Sequence, residues 1–328
     1  MKKLLKKTLK LILPVVLGGF ILFWVYRDFD FTKAGDVLLH GTNWWWMLFS
    51  LVFGVFAQVF RGWRWRQTLE PLDAFPKKSD CVNAIFISYA ASLVVPRIGE
   101  VSRCGVLAKY DNVSFAKSLG TVVTERLVDT LTILLITGIT VLLQLPIFVT
   151  FLQQTGTKIP SLVHLLTSVW FYIILFCFIG VAILLYYLRK TLFFYERVKG
   201  FVLNIWEGIM SLKGVRNIPL FIFYTLAIWA CYFLHFYFTF YCFAFTAHLG
   251  ILAALVMFVG GTFAVIVPTP NGAGPWHFAI MEMMMLYGVN VTDAGIFALI
   301  VHGIQTFLVV LLGVYGLAAL PFTNRQRK

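Results

Sequence analysis

Three charged residues, Glu125, Arg126 and Asp129, lie deep inside an apolar stretch of the chain. A helix would place Glu125 and Asp129 on one face, and Arg126 could reach Asp129 at a spacing of three. At the centre of a membrane-spanning helix each charge costs about 2.5–3.5 kcal/mol unless a partner compensates it. Two acids and one arginine leave a negative excess, so we expect another segment to supply a partner. Two interpretations stay open: a structural ion pair, or a polar site that binds a ligand or relays protons.

The motif Pro96-Arg97-Ile98-Gly99-Glu100, followed by Arg103, holds the natural partners. It interrupts an apolar run with charges and a helix-breaking proline, which needs a reason inside a bilayer. A helix that begins at about Ile98 directs free N–H groups and the positive end of its dipole toward the centre of the protein. With Arg97 and Arg126 nearby, this end would suit a phosphate group, while the acids could take an amine or a proton.

A second motif, Pro268-Thr269-Pro270-Asn271-Gly272-Ala273-Gly274-Pro275, breaks another apolar run. Proline is favoured in the first turn of a helix, so the returning helix should begin at Pro275 and add a second positive end. The glycines serve either a ligand or only a tight turn. His277 and Glu282 follow on the returning helix, where the histidine is either satisfied structurally or part of the site. The candidate substrate-binding residues are Arg97, Gly99, Glu100, Arg103, Glu125, Arg126, Asp129, Asn271, Gly272, Gly274, His277 and Glu282.

The composition indicates an all-α polytopic membrane protein. The 328 residues are 60% hydrophobic and 12% charged, and the mean hydropathy is +0.86. These values lie far outside the range of soluble domains. The first apolar stretch runs to Tyr26 without a small-residue cleavage site, so we expect it to remain as a helix of a single membrane domain over 1–328.

We predict six full crossings and two broken runs. The crossings are 9–26, 45–60, 119–143, 169–188, 219–245 and 294–320. The broken runs are 82–108 and 251–287, and most of their arms are too short for a hydrocarbon core of about 30 Å. Each run is therefore interpreted as a re-entrant helical hairpin, and the two hairpins enter from opposite sides, as in transporters with discontinuous helices.

The distribution of basic residues supports this topology. With the N-terminus in the cytoplasm and both runs as hairpins, 23 of the 27 Lys and Arg residues lie on the cytoplasmic side. The positive-inside rule then places both termini in the cytoplasm and the protein in the cell membrane. If both runs were single crossings, Lys109, Lys117 and the basic residues of 189–216 would move outside.

The remaining features have ordinary explanations. The net charge of +13 follows from topology and does not require nucleic acid. The five cysteines lack paired spacing, so neither disulfides nor a metal site is expected, and no cofactor is predicted. The segment 191–213 has apolar residues at helical spacing and is interpreted as an amphipathic helix on the membrane interface. The run 61–66, with three arginines and two tryptophans, is interpreted as an interfacial anchor at one end of the second crossing.

Taken together, the three motifs resemble the signatures of the lysylphosphatidylglycerol synthase transmembrane region, also called the flippase-like domain family. The resemblance covers residues from about 10 to 320. In one branch of that family the domain is fused to a cytosolic aminoacyl-lipid synthase, and the membrane part is assigned the translocation of lysylphosphatidylglycerol. This sequence contains no synthase domain, so the resemblance implies translocation and not aminoacyl transfer. Arg97 stands where the family often has glycine, and Trp276 and His277 stand where an acid often follows, which leaves the substrate open.

These observations lead to the expectation of a non-enzymatic, flippase-like membrane protein that translocates a phospholipid with an aminoacylated or other charged headgroup. Arg97, Arg103 and Arg126 would hold the phosphate, and Glu100, Glu125 and Asp129 would meet a cationic headgroup or carry protons. One alternative is a non-transporting partner of an envelope or lipid biosynthesis complex. Another is a membrane enzyme acting on a lipid-linked phosphate or sugar. A homo-oligomer is compatible with each of them.

Overall fold

A computed structural model describes residues 2–145 and 214–324. In these two ranges the chain forms helices and no strand, which confirms the predicted all-α class for the described residues. The α-helices are α1 Lys2–Tyr26, α2 Phe31–Asp36, α3 Trp44–Leu69, α4 Lys78–Val94, α5 Ile98–Tyr110, α6 Phe115–Leu143, α7 Ile218–Tyr237, α8 Ile251–Ala264, α9 Pro275–Leu286 and α10 Val291–Thr323.

Four helical segments of the described residues are long and apolar enough to cross a membrane: Trp44–Leu72, Phe115–Leu143, Ile218–Cys242 and Val291–Thr323. They correspond to four of the six predicted crossings. Helix α1 covers the predicted first crossing, and its apolar part is Leu13–Tyr26. The crossing predicted at 169–188 and the interfacial helix predicted at 191–213 lie outside the described residues.

Polar side chains fix where several helices begin. The carboxylate of Asp30 accepts hydrogen bonds from two backbone N–H groups at the start of α2. Asn43, Asn217 and Asn290 each accept one such bond at the start of α3, α7 and α10. These caps satisfy N–H groups that have no partner within the helix, so the local sequence determines these boundaries.

The first broken run folds as a helical hairpin. Helices α4 and α5 are joined by residues 95–97, and the Lys77 backbone N–H donates to Asp111 Oδ1 at 3.2 Å, which brings the start of α4 to the end of α5. Gly99 permits the close approach, because a Cβ atom there would collide with the carbonyl oxygen of Ser88. The helices contain 17 and 13 residues. They therefore measure about 25 and 20 Å, less than the bilayer core.

The second broken run also folds back on itself. Helices α8 and α9 pack against each other, with Gly261 facing Trp276 and Ile280. Helix α9 begins at Pro275, and α5 begins at Ile98, so both predicted helix starts are confirmed.

Helices α3 and α4 connect most of the described bundle. Helix α3 packs against α4, α6 and α7, and α4 also packs against α5 and α10. Gly62 of α3 allows the close contact with α4, since a Cβ atom there would lie 2.8 Å from Val82 Cα. The short turn Pro270–Gly272 of the second hairpin lies against α4 of the first, so the two broken runs contact each other.

Candidate functional site

The buried charges meet where α3, α5 and α6 come together. Asp129 lies at the middle of α6, and its two carboxylate oxygens pair with two arginines of α3. The distances are 2.8 Å from Arg61 Nη1 and 2.7 Å from Arg64 Nη2. The two arginines are only 4% and 0% exposed. The acid predicted to need a partner thus has two.

Glu125 lies one turn before Asp129 and forms an ion pair with the first hairpin. Arg103 of α5 pairs with it at 2.7 Å, and Arg64 Nε lies 3.6 Å from its other oxygen. The guanidinium of Arg103 also lies over the ring of Trp65, 4.6 Å from the centroid. The Trp65 indole N–H donates in turn to Thr121 Oγ1 at 2.9 Å, so aromatic and polar contacts orient the group.

This buried cluster has more positive than negative charge. Among the described residues, Arg61, Arg64 and Arg103 face two carboxylates, which leaves one positive charge in excess. Within the described residues the Nε atom of each arginine, Nη2 of Arg103 and both carboxylate oxygens of Glu125 have no hydrogen-bond partner. Buried polar groups are normally paired. Unused guanidinium donors beside an excess positive charge are suited to a carboxylate or phosphate oxygen.

A fifth ion pair lies at the outer edge of the cluster. Arg126 Nε of α6 is 2.7 Å from Glu100 Oε1 of α5, and their side chains are 49% and 32% exposed. Arg97 stands at the N-cap of α5 with φ +66° and is also exposed. The outer pair is therefore accessible, whereas the pairs of Asp129 and Glu125 are closed in.

The structure corrects two interpretations of the sequence. Arg126 pairs with Glu100, and Asp129 pairs with Arg61 and Arg64. The run 61–66 is not only an interfacial anchor, because α3 continues to Leu69 and buries Arg61, Arg64 and Trp65. The sequence did contain a signal for these partners. Arg61 and Arg64 are three residues apart, so a helix that continues beyond Phe60 places both on one face. Buried arginines also say nothing about orientation, so they no longer support the positive-inside count.

Asn271 holds the second turn against α10. Its Nδ2 donates to Thr306 Oγ1 at 2.8 Å, and its carbonyl oxygen lies 3.1 Å from His302 Nε2. Asn271 has φ +53° and the next residue, Gly272, has φ +72°. Asparagine and glycine tolerate this left-handed conformation better than other residues.

Gly274 and His277 form a hydrogen bond at the start of α9. Gly274 has φ +94° and packs against Gly18 and Ile21 of α1, and its N–H donates to His277 Nδ1 at 3.3 Å. His277 is buried, and its ring centroid lies 4.5 Å from that of His302. The contacts of the two residues therefore hold this turn in shape.

Glu282 lies elsewhere on α9. It is exposed and lines a cavity of about 370 Å³ together with Trp24, Arg27, Asp28 and Phe278. The structure thus gathers Gly99, Glu100, Arg103, Glu125, Arg126 and Asp129 around α5 and α6, and holds Asn271, Gly272, Gly274 and His277 at the second turn. In residues 2–145 and 214–324 no group of three or more His, Cys, Asp or Glu side chains could hold a metal ion.

The family model described as the lysylphosphatidylglycerol synthase transmembrane region matches residues 11–313. The chain belongs to this family. Comparisons with curated proteins and with solved structures gave no match. Membership in the lysylphosphatidylglycerol synthase transmembrane-region family, together with four apolar helices of spanning length, makes the chain a multi-pass integral membrane protein. Both helical hairpins and the charges of the cluster lie within the residues 11–313 that the family model matches.

Proposed function

We propose that the chain moves a phospholipid across the bilayer, with the headgroup passing the charges between α3, α5 and α6 while the acyl chains stay in lipid. The buried excess of positive charge, with its unused guanidinium donors, supports this proposal. Moving a lipid requires a polar path for a phosphate through an apolar bundle, and charged residues inside membrane segments commonly mark such paths.

Exposure divides the cluster into a fixed part and an exchangeable part. Removing one partner of a buried ion pair costs about 3–5 kcal/mol, because a charge is left uncompensated. An exposed pair contributes about 0–1 kcal/mol. The pairs of Asp129 and Glu125 therefore form a frame, and the pair of Arg126 and Glu100 exchanges partners.

In this proposal the phosphate binds Arg126 and the free donors of Arg103, and Arg97 guides it at the outer edge. Glu100 is then released to meet an amine or a proton. The role consists of binding and movement, without a chemical reaction. We place the protein in the cytoplasmic membrane with both hairpins re-entrant and both chain ends in the cytoplasm, since this arrangement leaves most basic residues of the connecting segments inside.

Selective phospholipid binding is the first test. Native mass spectrometry of the purified protein should show several-fold more adducts of phosphatidylethanolamine or phosphatidylglycerol than of a diacylglycerol with the same acyl chains. Arg103→Gln should reduce the phospholipid adducts to the diacylglycerol level, because it removes the charge and the fork of donors. Arg103→Lys, which keeps the charge, should give an intermediate result.

Lys33→Gln serves as the control, since Lys33 pairs with Asp293 outside the cluster. Each variant must elute as the wild type does and keep a cooperative thermal transition. Equal adduct levels for phospholipid and diacylglycerol in the wild type would contradict the proposed function. A wild-type level of phospholipid adducts in Arg103→Gln would show that the cluster does not bind the headgroup.

A further inference from the structure

The outer pair occupies an unusual place for charges. Arg126 lies three residues before the middle of α6, or about 4.5 Å along its axis. It lies on the outward side of this candidate membrane span, next to Leu127 and five residues before Leu131, which are 37% and 60% exposed. Glu100 of α5 is flanked in the same way by Val101, which is 48% exposed. Charged atoms thus face outward near the middle of α6, beside exposed apolar side chains of both helices.

Hydrocarbon cannot solvate these atoms. The ion pair joins Arg126 Nε to Glu100 Oε1 at 2.7 Å, and half of the Arg126 side chain remains accessible. Charges at such depth are tolerated where water or headgroups are drawn inward and the bilayer thins locally. Arg97, exposed one turn before Glu100, extends the charged strip along the start of α5.

We infer that the outward face of α5 and α6 around Arg97, Glu100 and Arg126 is a lateral opening where water and phospholipid headgroups reach the middle of the bilayer from the side. Its ligand is the phosphate-bearing headgroup of a membrane phospholipid, which Arg97 and Arg126 would bind through charge-assisted hydrogen bonds. The role of the opening in transport rests on the proposed function, but its hydration does not.

Spin-label accessibility in proteoliposomes tests the opening directly. In a background without the five native cysteines, a nitroxide is attached at Leu127→Cys or Val101→Cys. Phe307→Cys is the matched control, because Phe307 is 61% exposed and lies at the middle of α10. The water-soluble nickel(II) ethylenediaminediacetate complex and membrane-soluble oxygen are the two collision probes.

The expected result is a several-fold higher nickel collision rate at Leu127 and Val101 than at Phe307. The double substitution Glu100→Leu and Arg126→Leu should remove this difference. A nickel rate at both test positions equal to that at Phe307 would overturn the inference. A difference that persists in the double variant would overturn the role of the pair.

The outcome is separate from that of the lipid-binding test. A dry outer face with intact phospholipid binding would refute the lateral opening alone. A high nickel collision rate in a protein that does not bind phospholipid selectively would support the lateral opening and refute the proposed function.

Discussion

Asp129 is the residue on which the buried cluster depends most. Its two oxygens hold Arg61 and Arg64, which come from the same face of α3 and are both buried. Neutralising Asp129 would leave the three buried guanidinium groups of Arg61, Arg64 and Arg103 with one remaining carboxylate, Glu125. In a buried setting such a loss is expensive, because neither water nor another acid can replace the missing charge.

Asp129→Asn should therefore lower the free energy of unfolding by about 3–5 kcal/mol. Denaturant unfolding of the purified protein in detergent measures the change. Asp36→Asn is the control, since Asp36 pairs with His40 at 3.0 Å but both side chains are 75% exposed. A surface change of this kind should stay within about 0.5 kcal/mol. If the two variants were equally stable, the cluster would not be the frame described above.

At this scale the sequence predicted which acids need partners but not which arginines supply them. The need follows from the cost of a charge in a membrane, which applies to Glu125 and Asp129 wherever they lie. The partner depends on how α3 lies against α6, and Arg64 is 65 positions from Asp129 in the chain. Spacing along one helix favoured Arg126, yet its side chain projects outward to α5.

Among the elements, the first hairpin positions Arg103 and Glu100 through one close helix contact. Helices α4 and α5 approach so closely at Gly99 that a side chain there would meet Ser88 and Ser92. Gly105 lies on the same helix with no atom within 4 Å of an added Cβ. Comparing substitutions at these two glycines distinguishes the effect of close packing at Gly99 from the general preference of helices for alanine over glycine.

Gly99→Ala should destabilise the protein by about 1–3 kcal/mol or more, because overpacking forces the backbone apart. Gly105→Ala should be neutral or stabilise it by about 0.5–1 kcal/mol, through helix propensity. Denaturant unfolding of both variants, alongside lipid binding, measures the difference. Similar stabilities would mean that α4 and α5 do not pack as described.

Element boundaries were predictable where the sequence contains a helix breaker. The starts of α5 and α9 follow from Pro96 and from the glycine turn before Pro275. The end of α3 was missed, because the arginines and tryptophans of 61–66 are typical of a membrane interface. The helix instead continues to Leu69, and the frame of the cluster depends on that extension.

In the whole molecule, helix α4 connects the two broken runs and the long helices. It packs against α3, α5 and α10, and the turn Pro270–Gly272 also lies against it. The buried cluster therefore lies beside the first hairpin, and the second turn is fixed by Asn271 and His302. Family membership and apolar helices could be predicted from sequence motifs and composition. The contact between the hairpins could not, because it depends on packing between distant segments.

Headgroup-resolved lipid movement in proteoliposomes tests the central claim most directly. Three proteins are compared: the wild type, a variant with Glu100→Gln and Arg126→Gln, and a control with Lys33→Gln and Asp293→Asn. The control removes an ion pair of 2.9 Å that joins α2 to α10, away from the cluster. The wild type and the control should move at least one phospholipid class, and the cluster variant should fall to the rate of protein-free vesicles. Movement by the cluster variant at the wild-type rate, or no phospholipid movement by the wild type, would contradict the account.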